Sequence, residues 1–427
     1  MTTPATSRAN APPIVPTRAS SAAPVAVFLN RFYWPDVAAT GQMLADLAED
    51  LVAMGWEVRV VASQARYAGD GPPLAPHETH RGVVIRRVRG ARVARGSLIG
   101  RLFDYLSYLA GAFVASLSGK PPDLVVAMTD PPVLAALAVI IARLRGAKAV
   151  YWVQDVYPEI AAALGVLPRT TIAYRLSAAI AGWAHRRSHA IIVQGPAMAE
   201  VLVAAGADRA RTRAIANWAD ASAVQPVAPE VNPFIREHGL AGQFVVLYSG
   251  NAGRGHTFDA VLTAMERLHE DAGITFVFIG GGPQFPWLKA EAARRGLTRT
   301  RFLGYLPRER LSESLSAASV SIVTESPSVA GLLLPSKTFG ILASARALLF
   351  VGDPGSDVAA VVRAADAGVI VSPDDPDALV AAIRALRDDP AEATRLGANG
   401  RRAAVAIHDR RVATREWARV VRELTNV

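Results

Sequence analysis

QFVVLYSGNAGRGHTFDAVLTA (243–264) decides how the rest of the chain is read. An apolar run (243–250) gives way to a glycine-rich turn, and the turn opens into a helical pattern. That is one strand–turn–helix unit. The same grammar repeats downstream, with apolar runs at ITFVFIGGG (274–282), RTRFLGY (299–305), SVSIVTE (319–325), ALLFVGD (347–353) and GVIVSP (368–373) and helical segments between them. Strands alternating with helices predict a parallel, doubly wound sheet.

Upstream of that stretch, ADASAVQPVAPEVNP (219–233) lacks apolar periodicity and reads as a linker. Before it the grammar occurs once more. PVAVFLN (24–30), EVRVVAS (57–63), DLVVAMT (123–129), KAVYWVQD (148–155) and HAIIVQG (189–195) read as strands. TGQMLADLAEDLVAMG (40–55) reads as a helix with Met43, Leu44, Leu47, Leu51 and Met54 on one face. The predicted fold class is α/β, with two Rossmann-like doubly wound domains facing each other across a cleft. The expected divisions are a disordered tail (1–23), a first domain (24–220), a linker (221–239), a second domain (240–405) and a C-terminal helix (406–427) that packs back on the first domain. The tail has no apolar core of the kind a signal peptide needs.

The chain has 427 residues and no cysteine, which excludes disulfides, thiolate-bound metals and a cysteine nucleophile. The eight histidines form no tight metal-ligand spacing, so no metal and no cofactor is expected. Forty-two of the 46 basic residues are arginine, with lysine only at 120, 148, 289 and 337. The net charge of +9 lies almost wholly in residues 1–220, which carry +8. From Arg81 to Arg101 there are seven arginines and no acid. Arg86, Arg87, Arg89, Arg92 and Arg95 are therefore candidates for contact with an anionic acceptor or membrane surface. The apolar segment 102–118 follows directly; it is too short and too interrupted, by Asp104, for a membrane span. It reads either as an interfacial helix or as a buried one. No nucleic-acid-binding motif accompanies the basic residues.

Several segments could carry chemistry. The turn NAGRGH offers free backbone N–H groups at a helix start, with Arg254 beside them, which suits an anion; it also fits an ordinary strand–helix turn. Neither FIGGGPQ (278–284) nor the loop NRFYWPDVAATGQ (30–42) holds a GxGxxG fingerprint, which argues against a dinucleotide oxidoreductase. In LLLPSKTFGILA (332–343), Ser336 is placed to cap a helix and Lys337 follows it in a chain almost free of lysine. YWVQDVYPE (151–159) sets Asp155 at the carboxyl edge of the first sheet, either as a functional carboxylate or as a cap.

The order and spacing of these segments, together with ANWAD (216–220), FLGYLPRERLSESLSAA (302–318) and LLFVGDPGSD (348–357), resembles the retaining glycosyltransferases of family 4, which have the GT-B fold. The resemblance covers nearly all of residues 24–427. It is closest to the subgroup of colanic-acid, capsule and O-antigen biosynthesis. The resemblance implies an NDP-sugar donor in the interdomain cleft, metal-independent transfer, and a polyprenyl-diphosphate-linked saccharide as acceptor. It implies a peripheral enzyme at the cytoplasmic face of the plasma membrane, where an anionic surface is a further partner. Arg254 and Lys337 would then neutralise the diphosphate beside Asn251, Gly282 and Ser336. The backbone of Leu303–Tyr305 would meet the nucleobase, Gly41 would admit the phosphates, and Asp155 would sit by the transferred sugar or the acceptor hydroxyl.

Two features depart from the family pattern. Its usual Glu-x7-Glu pair falls on Leu332 and Gly340, with Glu325 out of register, and its first-domain histidine is replaced by Gln154–Asp155. The alternatives are a UDP-sugar 2-epimerase on the same fold and a non-enzymatic anion-binding protein.

Overall fold

The computed structural model describes residues 23–36, 38–67, 71–90 and 98–426. The predicted tail, except Ala23, and the candidates Arg92 and Arg95 lie outside the described residues.

The first half runs β1 (Val25–Leu29), α1 (Ala39–Ala53), β2 (Glu57–Ser63), β3 (His77–His80), β4 (Val83–Val88), α2 (Leu98–Leu117), β5 (Leu124–Ala127), α3 (Leu134–Arg145), β6 (Lys148–Trp152), α4 (Glu159–Ala163), α5 (Ile172–Arg187), β7 (Ala190–Val193), α6 (Pro196–Ala204) and β8 (Thr212–Ala214). These strands form one sheet in the order β3-β4-β2-β1-β5-β6-β7-β8, parallel except for β3. The central strands β1, β5, β6 and β7 read as unbroken apolar runs because helices cover both faces. The chain order reverses between β1 and β5, so a crevice opens beyond their carboxyl ends.

The β3–β4 hairpin is a correction to the sequence reading, which saw only an arginine run. Arg81 and Gly82 have φ of 47° and 82°, the two positive values that a two-residue hairpin turn requires. On β4, Arg87 points to the same side as buried Val83 and Ile85. Its side chain is wholly buried, donating to Glu78 at 2.6 Å and to the carbonyls of Trp34 and Ala75 at 2.7 and 3.0 Å. Arg87 is therefore no acceptor or membrane contact. Arg86 is tied to the end of α2 through Ala115 and Ser118, which leaves Arg89 as the exposed one of the three.

The second half runs α7 (Pro233–Glu237), β9 (Phe244–Asn251), α8 (Asp259–Arg267), β10 (Ile274–Gly281), α9 (Phe285–Arg294), β11 (Thr300–Leu303), α10 (Leu311–Ser316), β12 (Val320–Thr324), α11 (Lys337–Ala343), β13 (Ala347–Val351), α12 (Asp357–Ala365), β14 (Gly368–Val371), α13 (Pro376–Asp388), α14 (Pro390–Ala406) and α15 (Arg410–Thr425). Its sheet is parallel in the order β11-β10-β9-β12-β13-β14, the doubly wound dinucleotide-binding order. Here the reversal falls between β9 and β12. The expected linker is only partly a linker. Phe234 of α7 is fully buried in the second domain's core with Val224, so that part of 221–239 is packed structure.

The chain crosses between domains twice, along adjacent paths. Ala219 pairs with Asp409 in a parallel bridge, and the Ala219 N–H donates to the His408 carbonyl at 3.1 Å. After the second crossing, α15 lies on the first domain. Trp417 is fully buried there with its ring 4.8 Å from that of Trp152, which stacks on Trp218 at 5.9 Å. Arg410 seals the joint, donating to Asp46 at 2.9 Å and to Asp50 at 2.7 Å.

Candidate active site

The second-domain half of the site forms at the β9/β12 reversal. β9 ends in Ser249–Gly250–Asn251, and the loop that follows is clamped against the end of β10. The Ala252 N–H donates to the Gly281 carbonyl at 2.6 Å, and the Gln284 side chain donates to the carbonyls of Gly253 and His256. Gly282 has φ of 111°, and a Cβ there would stand 2.2 Å from Asn251 Oδ1, so only glycine fits.

Lys337 enters this loop from the first residue of α11. Its Nζ lies 3.9 Å from the centroid of the Tyr248 ring and donates to the Tyr248 hydroxyl. The Asn251 carbonyl and His256 Nε2 are each 3.4 Å away. Among the described residues no carboxylate faces this amine, and burial holds its pKa well below the usual lysine value. His256 is neutral: burial, then the Lys337 charge, press its pKa down to about 3. Its Nδ1 meets the Thr324 carbonyl, which can only accept, so Nδ1 carries the proton and Nε2 offers a lone pair to Lys337.

The remaining donor-side candidates gather around Lys337. Arg254 is exposed and has no partner among the described residues. Asn251 is exposed, within 3.5 Å of the Tyr305 hydroxyl, and Tyr305 stands 55% exposed just beyond Leu303 at the end of β11. Ser336 adjoins Lys337 but does not cap α11. Its φ and ψ of −61° and −22° are already helical, so its hydroxyl makes no capping bond. Gly41 is placed differently from its expected role. It is buried in the first turn of α1, where a Cβ would stand 3.1 Å from the Phe32 carbonyl oxygen, so the protein's own backbone fills the space a side chain would need.

The first-domain half lies at the β1/β5 reversal. Arg31, just after β1, pairs with Asp104 of α2 and stacks over the rings of Phe32 and Tyr105, each at 5.0 Å. Asp130 follows β5 and Asp155 follows β6. Burial, with Asp104 adding and Arg31 opposing, lifts the Asp130 carboxyl to about 6. Burial and Asp130 lift Asp155 to about 6 as well. Tyr67 lies within the field of both carboxylates, and Tyr305 within that of Tyr67, so the two clusters face one another. Asp155 also touches the second domain directly: it bridges Leu333, and the Val156 N–H donates to the Leu332 carbonyl at 2.8 Å.

Neither position of the expected glutamate pair holds an acid. Leu332 is buried against the first domain, and Gly340 sits in α11. Glu325 is fully buried at the end of β12, where burial, with Asp357 and Asp353 adding and Ser356 opposing, lifts its carboxyl to about 8. Sequence reasoning passed over Tyr248, His256, Arg31 and Asp130. Arg31 and Asp130 had a readable signal, since each directly follows a strand that the topology places beside the crevice. His256 and Tyr248 had none, because only the fold brings them to Lys337.

The description "Glycosyl transferase 4-like domain" matches residues 39–218, and "Glycosyl transferases group 1" matches residues 232–403. The chain belongs to the family 4 glycosyltransferases of GT-B fold and is a glycosyltransferase. It is 30% identical to "Probable glycosyltransferase WbjE" of Pseudomonas aeruginosa, over 60% of this chain and 64% of that protein, so the likeness spans less than two thirds of that relative. It is 23% identical to "Putative colanic acid biosynthesis glycosyl transferase WcaI" of Escherichia coli (strain K12), over 82% of this chain and 89% of that one. Among solved structures, sucrose-phosphate synthase from Thermosynechococcus elongatus superposes with a TM-score of 0.77 at 17% identity, covering 94% of this chain and 99% of that one. HepE of Anabaena in complex with UDP-glucose gives a TM-score of 0.72 at 15% identity, covering 93% and 99%. None of these likenesses supports the epimerase alternative.

Proposed function

We propose that this enzyme transfers a sugar from a nucleoside diphosphate donor, with the diphosphate seated at the carboxyl end of β9 against Lys337 and Arg254. One observation carries the reading: among the described residues no carboxylate faces the half-buried Lys337 amine, which stands beside an exposed arginine without a partner there and a glycine-rich turn. An anion is the missing partner. Breaking the sugar–phosphate bond develops negative charge on the leaving diphosphate and positive charge at the anomeric carbon. A lysine and an arginine already in place stabilise that leaving group with little reorganisation and without a metal, the arriving negative charge favouring the protonated lysine. The similarity to a structure holding UDP-glucose supports a uridine nucleotide, with Tyr305 and the Leu303 backbone beside the base.

Asp155 and Asp130 belong to the acceptor side of the cleft. Carboxyls lifted to about 6 accept a hydroxyl proton more readily than ordinary carboxylates do. The acceptor is a polyprenyl-diphosphate-linked saccharide, the sugar is transferred with retention, and the setting is surface-polysaccharide assembly at the cytoplasmic face of the plasma membrane. The names of WcaI and WbjE and the basic first domain support this part of the reading. Calorimetry with UDP tests the donor site: Lys337→Ala and Arg254→Ala are each expected to weaken binding at least about tenfold, the loss of one charge-assisted contact. Parental affinity in both variants overturns the assignment.

A further inference from the structure

The outer face of the first domain carries an apolar layer that the transfer reaction does not use. Helices α2, α3 and α5 lie side by side on one face of the sheet, with α3 in the middle. Their inner sides, through Tyr108, Ala138 and Ile141, fill the core against β1 and β5. Their outer sides are also apolar. Phe103, Leu106 and Val114 stand out from α2, with Val114 69% exposed. Leu144 of α3 is 61% exposed. Ile172 and Leu176, one turn apart on α5, are 84% and 60% exposed. A solvated helix normally presents charge on that side. Three neighbouring helices that do not form a contiguous patch of the kind that marks an interface.

The charge on this layer is of one sign. The three helices carry six arginines and one acid, Asp104, which Arg31 already holds. Arg187 lies over the Trp183 ring at 5.2 Å, continuing the α5 stripe into a cation at its end. A second copy of the chain is a poor partner, since a two-fold contact would set these arginines against one another. An apolar surface edged with arginine suits the headgroup region of an anionic lipid bilayer.

We propose that the α2–α3–α5 face docks the enzyme on an anionic membrane surface, with Leu144, Ile172 and Leu176 entering the interface. This moves the contact away from Arg86 and Arg87, whose side chains the fold uses itself. It also gives the face a bearing on the cleft: Asp104, near the start of α2, holds Arg31 beside Asp130, so docking sets the acceptor half of the site close to the lipid. The proposal adds to the transfer reaction without resting on donor binding.

Vesicle co-sedimentation of the full chain tests it, using phosphatidylcholine vesicles with and without phosphatidylglycerol, at low and high salt. Melting curves and UDP calorimetry on every variant report separately on folding and on the donor site. The parent is expected to sediment with the phosphatidylglycerol vesicles, less so at high salt. Ile172→Glu, Leu176→Glu and Leu144→Glu are each expected to lower partitioning about tenfold or more, with melting and UDP affinity unchanged. Trp287→Glu, on exposed α9 of the second domain, is expected to bind as the parent does. Absence of binding to both vesicle types overturns the proposal. So do parental binding by the three variants, an equal loss with Trp287→Glu, or a solution dimer that the three variants dissolve while no vesicles bind.

Discussion

Asp357, at the start of a second-domain helix, accepts the backbone N–H of Ala197, at the start of a first-domain helix, at 2.9 Å. Its other oxygen accepts the Met198 N–H at 3.1 Å. The carboxylate thus performs the capping of α6 that Gly195, without a side chain, cannot. A helix of one domain is capped by the other, so the capping energy is available only while the cleft is closed at this corner. Asp357→Ala is expected to cost about 1–2 kcal/mol, a fall of roughly 2–8 °C in melting temperature for domains of this size. It is also expected to raise the radius of gyration in small-angle scattering. Asp357→Asn, which still offers one acceptor, is expected to fall between the two. A scattering profile and melting point equal to the parent's for Asp357→Ala contradict the closure role.

Glu325 gives the protein a signature in its stability against pH. Its carboxyl sits at about 8 when folded and near 4.5 when unfolded. The folded state therefore binds the proton more tightly, and the contribution is fully present below about 4.5 and lost as pH rises through 8. Asp130 and Asp155 act in the same direction but finish near 6, while Lys337 and His256, whose burial lowers their pKa values, act in the opposite direction, so the Glu325 contribution is read as the difference between Glu325→Gln and the parent. Glu325→Gln is expected to change the slope of melting temperature against pH between about 6 and 8. At pH 8 it is expected to exceed the parent by on the order of a few kcal/mol. A slope equal to the parent's between pH 6 and 8 refutes the assignment.

Asp155 is expected to trade stability for activity. Asp155→Asn removes a half-buried carboxyl whose ionisation the fold disfavours, so at pH 8 the variant is expected to melt no lower than the parent. Turnover is expected to fall about a hundredfold, in keeping with loss of a positioned proton acceptor. The parent's turnover should rise with pH through about 6 and level off; that step should be missing in the variant. Rate measurements across pH 5–8 decide it, and full activity in Asp155→Asn removes Asp155 from the reaction.

Gly282→Ala is expected to weaken UDP binding at least about tenfold and to destabilise the fold by roughly 1–3 kcal/mol. Its φ of 111° disfavours any side chain, and the new methyl would displace Asn251 from the turn that presents Lys337. Unaltered UDP affinity in calorimetry separates the turn's shape from donor binding.

The long apolar strands were legible because both of their faces are buried. EVRVVAS gives β2 at its exact residues, and the six runs after residue 243 all become strands. The elements that escaped are short and polar: β3 is His-Glu-Thr-His, and β4 hides a buried arginine in its inward row. β3 is the edge strand, where one neighbour is missing and apolar patterning is not required, and β4 stands between it and β2 with an arginine in place of an apolar residue in its buried row. In the site, Lys337 stood out by scarcity alone. That its amine meets an aromatic ring and a neutral histidine, with no acid among the described residues, depends on three segments that come together only in three dimensions.

The position of α15 reaches beyond the folded state. The first domain's core is completed by Trp417, contributed from more than two hundred residues after the first domain's last strand, whereas every strand of the second domain lies between 244 and 371. During synthesis the second domain can close its sheet while Trp152 and Trp218 still lack their cover. The half of the enzyme made first is thus the half finished last, and a chain interrupted before residue 410 would carry an exposed tryptophan pair where the finished protein has its driest joint.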